Sequence, residues 1–278
     1  MKFGVHIALW MKTWQDDVVP YIEETARLGF DGVELSLLGM TDDNIARIRK
    51  CLDDTGLELT CTTGLSMAQD ITSDDAEIRE AGMAYLENAI KTVAALGSPL
   101  LSGVIFAPWG KRVMENRESR LSRSVEALKR VAPLAKEHGV TLGIEAINRF
   151  ETDLINTAEQ AVQLAEDVDE ENIGVLLDSF HMNMEEKDIV SALKRSKEKL
   201  VHFHCVENDR GAPGSGHTPW PTFFEGLKAI DYDGWLTLEM FIRANEAVSP
   251  DLAIWRPIET NPSEAAERGL AFLEEHTA

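Results

Sequence analysis

The chain has 278 residues, and its 27 Lys and Arg against 48 Asp and Glu give a net charge of −21. A surface this acidic repels phosphate backbones, which argues against a nucleic-acid partner. No apolar stretch is long enough to cross a bilayer and the first residues lack a signal-peptide core, so no membrane partner is expected. The three cysteines have no metal-knuckle spacing, which favours a reducing, cytoplasmic setting.

Short apolar runs alternate with amphipathic stretches eight times along the chain. In the stretch 121–135, for example, apolar residues recur three and four positions apart, as on one face of a helix. Ser73 and Thr157 are predicted to cap helices, and Gly29 and Gly97 to end them. The apolar runs are typical of parallel strands covered on both faces. They span residues 2–9, 32–37, 57–63, 99–106, 140–147, 173–179, 200–206 and 235–241.

Eight βα units in this length predict an α/β fold, a single (β/α)8 TIM barrel that occupies residues 1–278. A doubly wound open sheet is the alternative, but no glycine-rich phosphate loop follows the first strand. One connection is long: residues 242–262, after the eighth strand, have no clear periodicity and contain Trp255-Arg256-Pro257. We expect this segment to be an ordered lid or an oligomer contact.

Four polar residues close the last four predicted strands: Glu145, Asp178, His204 and Glu239. In a barrel, the C-terminal strand ends converge on one mouth. A single carboxylate there is more often a helix cap or an ion-pair partner, but four such residues on consecutive strands favour a metal site. Three oxygen ligands and one nitrogen suit Mn²⁺, Mg²⁺ or Co²⁺ better than Zn²⁺.

A second group of polar residues lies just beyond the strand ends, where a substrate would bind: Glu151, His181 and Arg210. The alternative for Glu151 is a surface ion pair with Arg149. His202 lies two residues before His204 on the seventh strand, so the two side chains point to the same face of that strand. It is expected either to fill a layer of the barrel or to support the site.

A divalent ion flanked by two glutamates suits proton transfer at a carbon beside a carbonyl. One glutamate removes the proton, and a second across the substrate plane returns a proton to the other face. Two such carboxylates therefore fit epimerisation through an enediolate better than one-sided isomerisation.

Three blocks of sequence resemble the ketose 3-epimerases, the D-tagatose 3-epimerase and D-allulose (D-psicose) 3-epimerase family of xylose-isomerase-like barrels. Tyr232-Asp-Gly234 and Trp255-Arg256 are also similar to that family, and the resemblance covers essentially the whole chain. The blocks are Glu145-Ala-Ile-Asn-Arg-Phe-Glu151, Asp178-Ser-Phe-His-Met-Asn-Met-Glu-Glu186, and His202-Phe-His-Cys-Val-Glu-Asn-Asp-Arg-Gly211 with Pro213-Gly214.

The resemblance implies an isomerase that acts on a free ketose of the D-tagatose, D-fructose/D-allulose or L-ribulose type, as a homodimer or homotetramer. It implies one divalent ion, Mn²⁺ before Mg²⁺ or Co²⁺, held by Glu145, Asp178, His204 and Glu239. Glu145 and Glu239 would be the catalytic acid/base pair. The residues that would hold the O1 and O2 end of the substrate are Glu151, His181 and Arg210.

The chain departs from the family pattern at positions that bear on sugar preference. The family commonly has an aromatic residue in place of His6, Met-Glu-Pro-Phe in place of Leu238-Glu-Met-Phe241, and a small or apolar set in place of Thr62-Thr63-Gly64. These changes leave the metal and acid/base roles intact. The residues expected to line the far end of the substrate are His6, Thr63, Phe106 and Trp109.

Other functions use a similar set of residues. An aldose–ketose or hydroxypyruvate-type isomerase, or a lyase of the inosose dehydratase type, would share the metal site, and a non-catalytic sugar-binding protein would share the fold. A phosphorylated substrate would use the glycine-containing turn 211–216, where barrels often bind phosphate, and Lys111-Arg112. We expect an unphosphorylated ketose. An endonuclease IV relative is excluded, because no histidine closes strands two to four.

Overall fold

Eight parallel strands close into a barrel in chain order. The computed structural model describes residues 1–277, apart from the side chain of Asp42. The ring closes where β1 pairs with β8, with Val5 opposite Leu238. This architecture confirms the predicted (β/α)8 TIM barrel. The strands are β1 Lys2–His6, β2 Gly32–Ser36, β3 Glu58–Leu65, β4 Leu100–Pro108, β5 Thr141–Glu145, β6 Ile173–Asp178, β7 Leu200–Cys205 and β8 Trp235–Leu238.

Helices cover the outside of the barrel and follow every strand, with two after β6. Among residues 1–277, no helix is both long enough and apolar enough to cross a membrane. Short 3₁₀ turns also occur at Ile7–Leu9, Asp42–Asn44 and Met67–Gln69. The helices are α1 Val19–Leu28, α2 Ile45–Thr55, α3 Ala76–Leu96, α4 Arg117–Glu137, α5 Ala158–Val168, α6 Ser179–Glu185, α7 Ile189–Ser196, α8 Trp220–Ala229 and α9 Pro262–Thr277.

Most of the predicted helix ends are correct. Thr157 caps α5 in a capping box with Gln160, and Gly29 and Gly97 end α1 and α3 in the left-handed conformation. The prediction for Ser73 is wrong. The α3 helix begins two residues later than expected, where the Asp75 carboxylate accepts a 2.8 Å hydrogen bond from the backbone N–H of Glu77.

The core is a continuous apolar layer between the strands and the helices. The apolar stripe predicted on residues 121–135 lies on α4, where Leu128, Ala132 and Ala135 are fully buried. Because the strands are covered on the outside by these helices and filled inside by side chains, nearly all strand residues beyond the N-terminal ends are buried. The packed barrel therefore fixes the positions of the side chains at its C-terminal strand ends.

The segment between β8 and α9 has no helix or strand, and it lies against the segment that follows β1. The Arg243 guanidinium donates to the carbonyl of Trp10 at 3.1 Å. The Trp14 indole N–H donates to the Asp251 carboxylate at 2.8 Å. These bonds order the long segment beside the mouth of the barrel.

A buried ion pair anchors the loop that follows β5. The Arg120 guanidinium on α4 donates two hydrogen bonds, 2.7 and 2.8 Å long, to the two carboxylate oxygens of Asp153. Asp153 also accepts a 2.8 Å bond from the backbone N–H of Val113. The Arg120 side chain is 4% exposed, so its charge depends on this partner for solvation.

We predict that Asp153→Ala lowers the free energy of unfolding by about 3–5 kcal/mol, because it leaves the Arg120 charge buried without a partner. Urea denaturation measures this change. The control is Glu171→Ala, which removes a carboxylate that is 83% exposed from its pair with Lys136 and should cost less than about 1 kcal/mol. Equal effects of the two substitutions would contradict the anchoring role.

Candidate active site

The four side chains predicted at the ends of β5 to β8 come together at the C-terminal mouth. One ligand atom from each of Glu145, Asp178, His204 and Glu239 lies within 4.8 Å of the others. His204 Nδ1 is 3.4 Å from Glu239 Oε1 and 3.7 Å from Asp178 Oδ2. We call these four residues the tetrad. Glu239 is the first residue after β8 rather than its last, and it still reaches the group.

Asp178 is both a helix cap and a member of the tetrad. Its Oδ1 accepts hydrogen bonds from the backbone N–H groups of Phe180 and His181, at 2.5 and 3.3 Å, and so begins α6. Its Oδ2 faces the tetrad. The two interpretations of this carboxylate are therefore compatible, and the cap fixes the helix that carries His181.

Arg210 brings a positive charge to the tetrad. Its Nη1 donates to Glu239 Oε2 at 2.9 Å and to Asp178 Oδ2 at 3.3 Å, and its guanidinium lies 3.9 Å over the ring of Phe180. The backbone of Arg210 is left-handed, with φ of 70°, which turns the loop after β7 back toward the mouth. The side chain is buried, so these charged contacts are shielded from solvent.

His181 is held as a neutral ring between two groups that can only donate. The backbone N–H of Asn148 donates to His181 Nδ1 at 3.1 Å, and the guanidinium Nη2 of Arg210 lies 3.3 Å from Nε2. That Nε2 lies 3.7 Å from Glu145 Oε1. Burial, and then the charge of Arg210, lower the pKa of His181 to about 3. The ring therefore stays neutral across the physiological range.

Glu151 faces the same space from the loop after β5. Its carboxylate accepts two hydrogen bonds, one of 2.8 Å from the indole N–H of Trp109 and one of 2.7 Å from the side-chain amide of Asn148. Burial alone would raise the pKa of Glu151, but the charge of Arg210 and the hydrogen bonds from Trp109 and Asn148 hold that pKa below its usual range. The proposed surface pair with Arg149 is wrong, because Arg149 binds Glu185 instead.

A cavity opens above the tetrad. Glu145 and Glu239 line it, whereas Asp178 and His204 lie below its floor with no exposed surface. A concave pocket with converging polar groups at the C-terminal mouth of a barrel is the usual place for a small-molecule ligand. The cavity is also lined by six of the seven residues that the sequence proposed as substrate contacts: His6, Thr63, Trp109, Glu151, His181 and Arg210.

Comparison with known proteins connects this site to a family. A family model described as xylose isomerase-like TIM barrel matches residues 22–276. The D-psicose 3-epimerase of Agrobacterium fabrum is 33% identical, with 98% of each chain covered. The L-ribulose 3-epimerase of Mesorhizobium japonicum is 33% identical over 98% of this chain and 93% of its own. A solved D-psicose 3-epimerase, in the presence of D-fructose, matches with a TM-score of 0.94, 33% identity and 99% coverage of both chains.

The chain belongs to the ketose 3-epimerase family. It is therefore an isomerase-class enzyme, as the sequence blocks predicted. A structure of 3-keto-D-glucoside 4-epimerase from Escherichia coli, 24% identical with a TM-score of 0.81, shares the fold.

The tetrad of this ketose 3-epimerase family member fits a divalent cation. His204 Nδ1 is fully buried and has no hydrogen-bond partner among residues 1–277. Burial, reinforced by the charge of Glu239, raises the pKa of Glu145, and burial also raises that of Asp178 to about 7. The cluster thus has a buried ring nitrogen without a hydrogen-bond partner, and its carboxylates outnumber the single guanidinium of Arg210. Its three oxygens and one nitrogen suit Mn²⁺, Mg²⁺ or Co²⁺.

The prediction that Phe106 lines the cavity is wrong. Phe106 is fully buried and does not line the cavity. The sequence placed a strand end at this residue, but β4 continues to Pro108, so Phe106 lies inside the strand and Trp109 reaches the mouth instead.

Several residues of the site were missed from the sequence. Asn148 was quoted within a family block but assigned no role, although it contacts both Glu151 and His181. Its position three residues after a strand-ending glutamate was the available signal. Thr63 lines the cavity as expected, and the lining residues that were not predicted include Ser36, Leu38, Thr62 and Leu252.

Proposed function

We propose that this protein catalyses the metal-dependent C3-epimerisation of a free ketose by proton removal and return through an enediolate. The division of the tetrad by the cavity floor carries this proposal. Glu145 and Glu239 face the cavity from strand ends on β5 and β8, while Asp178 and His204 are shut beneath it. Two carboxylates that can reach a substrate from different sides are what inversion of a carbon centre requires.

The tetrad would hold the ion, Mn²⁺ before Mg²⁺ or Co²⁺, which when bound supplies Lewis-acid polarisation of the substrate carbonyl. One of Glu145 and Glu239 takes the proton from C3, and the other gives a proton to the opposite face. His181 and Arg210 would form hydrogen bonds with the O1 and O2 end of the substrate, and Glu151 would accept one from a substrate hydroxyl. These contacts fix C3 between the two carboxylates.

The relatives support a ketose of the D-tagatose, D-fructose/D-allulose or L-ribulose type, since relatives are named D-psicose and L-ribulose 3-epimerases. His6, Trp109 and Thr63 would contact the rest of the sugar chain. Leu252 belongs to the long segment after β8 and lines the cavity, which supports a role for that segment as a lid. A closed lid would exclude water from the enediolate.

Two contacts support an unphosphorylated substrate. In the turn 211–216, the Glu207 carboxylate accepts a 2.9 Å hydrogen bond from the backbone N–H of Gly214. An anionic group of the chain thus occupies the amide that a phosphate would need. Lys111, the other candidate phosphate contact, forms an ion pair with Asp70. Both sites are already neutralised by carboxylates of the protein.

An aldose–ketose or hydroxypyruvate-type isomerase is the second candidate, because the same tetrad would serve it. We predict that D-tagatose, D-fructose or L-ribulose exchanges its C3 proton in D₂O and yields the C3 epimer. Glu145→Gln and Glu239→Gln should each lower turnover at least about 10²-fold, since each removes one proton carrier. NMR of the products and circular dichroism of the variants measure both effects.

The matched control is Glu186→Gln, which changes a carboxylate that accepts from the backbone N–H of Ala158 at the start of α5. This variant should keep turnover. Exclusive formation of aldoses would favour the second candidate, and full activity of either tetrad variant would refute the assignment of acid/base roles.

We predict that Mn²⁺ raises the melting temperature of the metal-stripped protein. At a hundred times its Kd, a ligand that binds the folded state stabilises it by about 2.7 kcal/mol. Asp178→Asn should abolish the shift, because it removes one of the four proposed metal ligands. Asp178 does not line the cavity, so the substitution leaves the cavity wall unchanged. Asp188→Asn, at an exposed helix cap on α7, should keep it. A shift in Asp178→Asn as large as in the wild type would contradict the proposed site.

A homodimer or homotetramer is part of the proposal. Apolar side chains are exposed in loops that follow β4, β5 and β8: Val113, Met114, Phe150 and Trp255, of which Trp255 is 75% exposed. Light scattering should therefore give two or four times the chain mass of 30.9 kDa, and Trp255→Ser should weaken association. A single-chain mass at all concentrations would contradict it. A cytoplasmic setting is also proposed, since all three cysteines are buried free thiols.

A further inference from the structure

Glu34 is a carboxylate buried in the interior of the barrel, with no exposed surface. It lies in the middle of β2, and its Oε1 is 2.7 Å from His204 Nε2. Its Oε2 accepts a 2.8 Å hydrogen bond from the Thr60 hydroxyl and lies 2.7 Å from His202 Nε2. A charged group in such a place is costly unless its contacts do something specific.

The contact between Glu34 and His204 crosses the barrel. The strands β2 and β7 are separated by β1 and β8 in the ring, so no sheet hydrogen bond brings the two residues together. One imidazole therefore connects two groups: Nε2 contacts Glu34, and the opposite nitrogen, Nδ1, faces the tetrad.

Glu34, His202 and His204 could also be read as three ligands of a second ion, since their ligand atoms lie within 4.8 Å of one another. The contacts argue against that interpretation. Glu34 Oε1 bonds directly to His204, and Oε2 is already bonded to Thr60. Both oxygens are occupied by partners within the protein, so the arrangement is a hydrogen-bonded support.

We propose that Glu34 is a positioning residue, which fixes the His204 tautomer whose Nδ1 lone pair faces the tetrad and thereby sets the affinity for the metal ion. The inference rests on the metal site of the proposed function. An ionised carboxylate can only accept, so Glu34 keeps a proton on Nε2, and the nitrogen left to bind a cation is Nδ1. Carboxylates bonded to the far nitrogen of a metal-binding histidine also raise its basicity.

The other contacts of Glu34 serve the same purpose. Thr60 and His202 hold the second oxygen, so that the carboxylate cannot turn away from His204. The rings of His202 and His204 pack edge to face, with centroids 5.0 Å apart, which limits rotation of the His204 ring. His202, expected to fill a layer or to support the site, is thus in contact with both groups.

The test is Glu34→Gln, which preserves size but removes the charge and can present an N–H to His204. Isothermal titration of the metal-stripped full chain with Mn²⁺ should give a Kd about 10–100-fold weaker than wild type. The melting temperature of the metal-free variant is measured beside it, because a purely structural role of Glu34 would lower that temperature and leave Kd unchanged. Thr60→Val, which removes one bond to Glu34, should weaken Kd by a smaller factor. Glu186→Gln should leave Kd unchanged.

A wild-type Kd in Glu34→Gln, with a lower melting temperature of the metal-free protein, would show a purely structural role and overturn the inference. If Glu34→Gln does not fold, Thr60→Val decides: a weaker Kd supports the inference, and an unchanged Kd overturns it. If wild-type protein itself binds no divalent ion, the proposed metal site fails and the inference fails with it. The wild-type titration therefore separates the two failures.

Discussion

The mouth of this barrel depends on one electrostatic constraint: four carboxylates surround a single imidazole, His204, where little water reaches. Carboxylates in such a place are stable only with partners, because desolvation of each charge costs several kcal/mol. Arg210 supplies one positive charge by direct contact with Asp178 and Glu239. The remaining negative charge calls for a divalent ion. The residues that balance this charge are therefore also those that define the chemistry.

The site is built in layers along the barrel axis, and each layer orients the next. Glu34 lies deepest and contacts His204, which faces the tetrad. Asp178 in the tetrad begins α6, and so positions His181 at the cavity. Asn148 then connects that histidine to the loop that follows β5. Because each contact is made by a buried side chain, a small displacement in the deepest layer would reach the substrate contacts above it.

The sequence was informative where function coincides with a strand end. Alternating apolar runs predicted the barrel, and a barrel makes consecutive strand ends converge, which is why Glu145 and Asp178 could be assigned. Glu34 could not, because it lies inside a strand and its partner is 170 residues away across the ring. No local sequence pattern shows which residues of distant strands lie at the same height along the barrel axis. Phe106 was misplaced for a simpler reason, an error of two residues in a strand end.

The far wall of the cavity shows what a departure from the family pattern does physically. His6 Nδ1 accepts a 3.2 Å hydrogen bond from the backbone N–H of Ala8, so its proton lies on Nε2. That nitrogen is 3.0 Å from the Thr62 hydroxyl oxygen, which must then accept. The hydroxyl proton of Thr62 is left to donate, and Thr62 lines the cavity. An aromatic residue at position 6 would offer no such bond, so His6 changes the polarity of the wall through its neighbour.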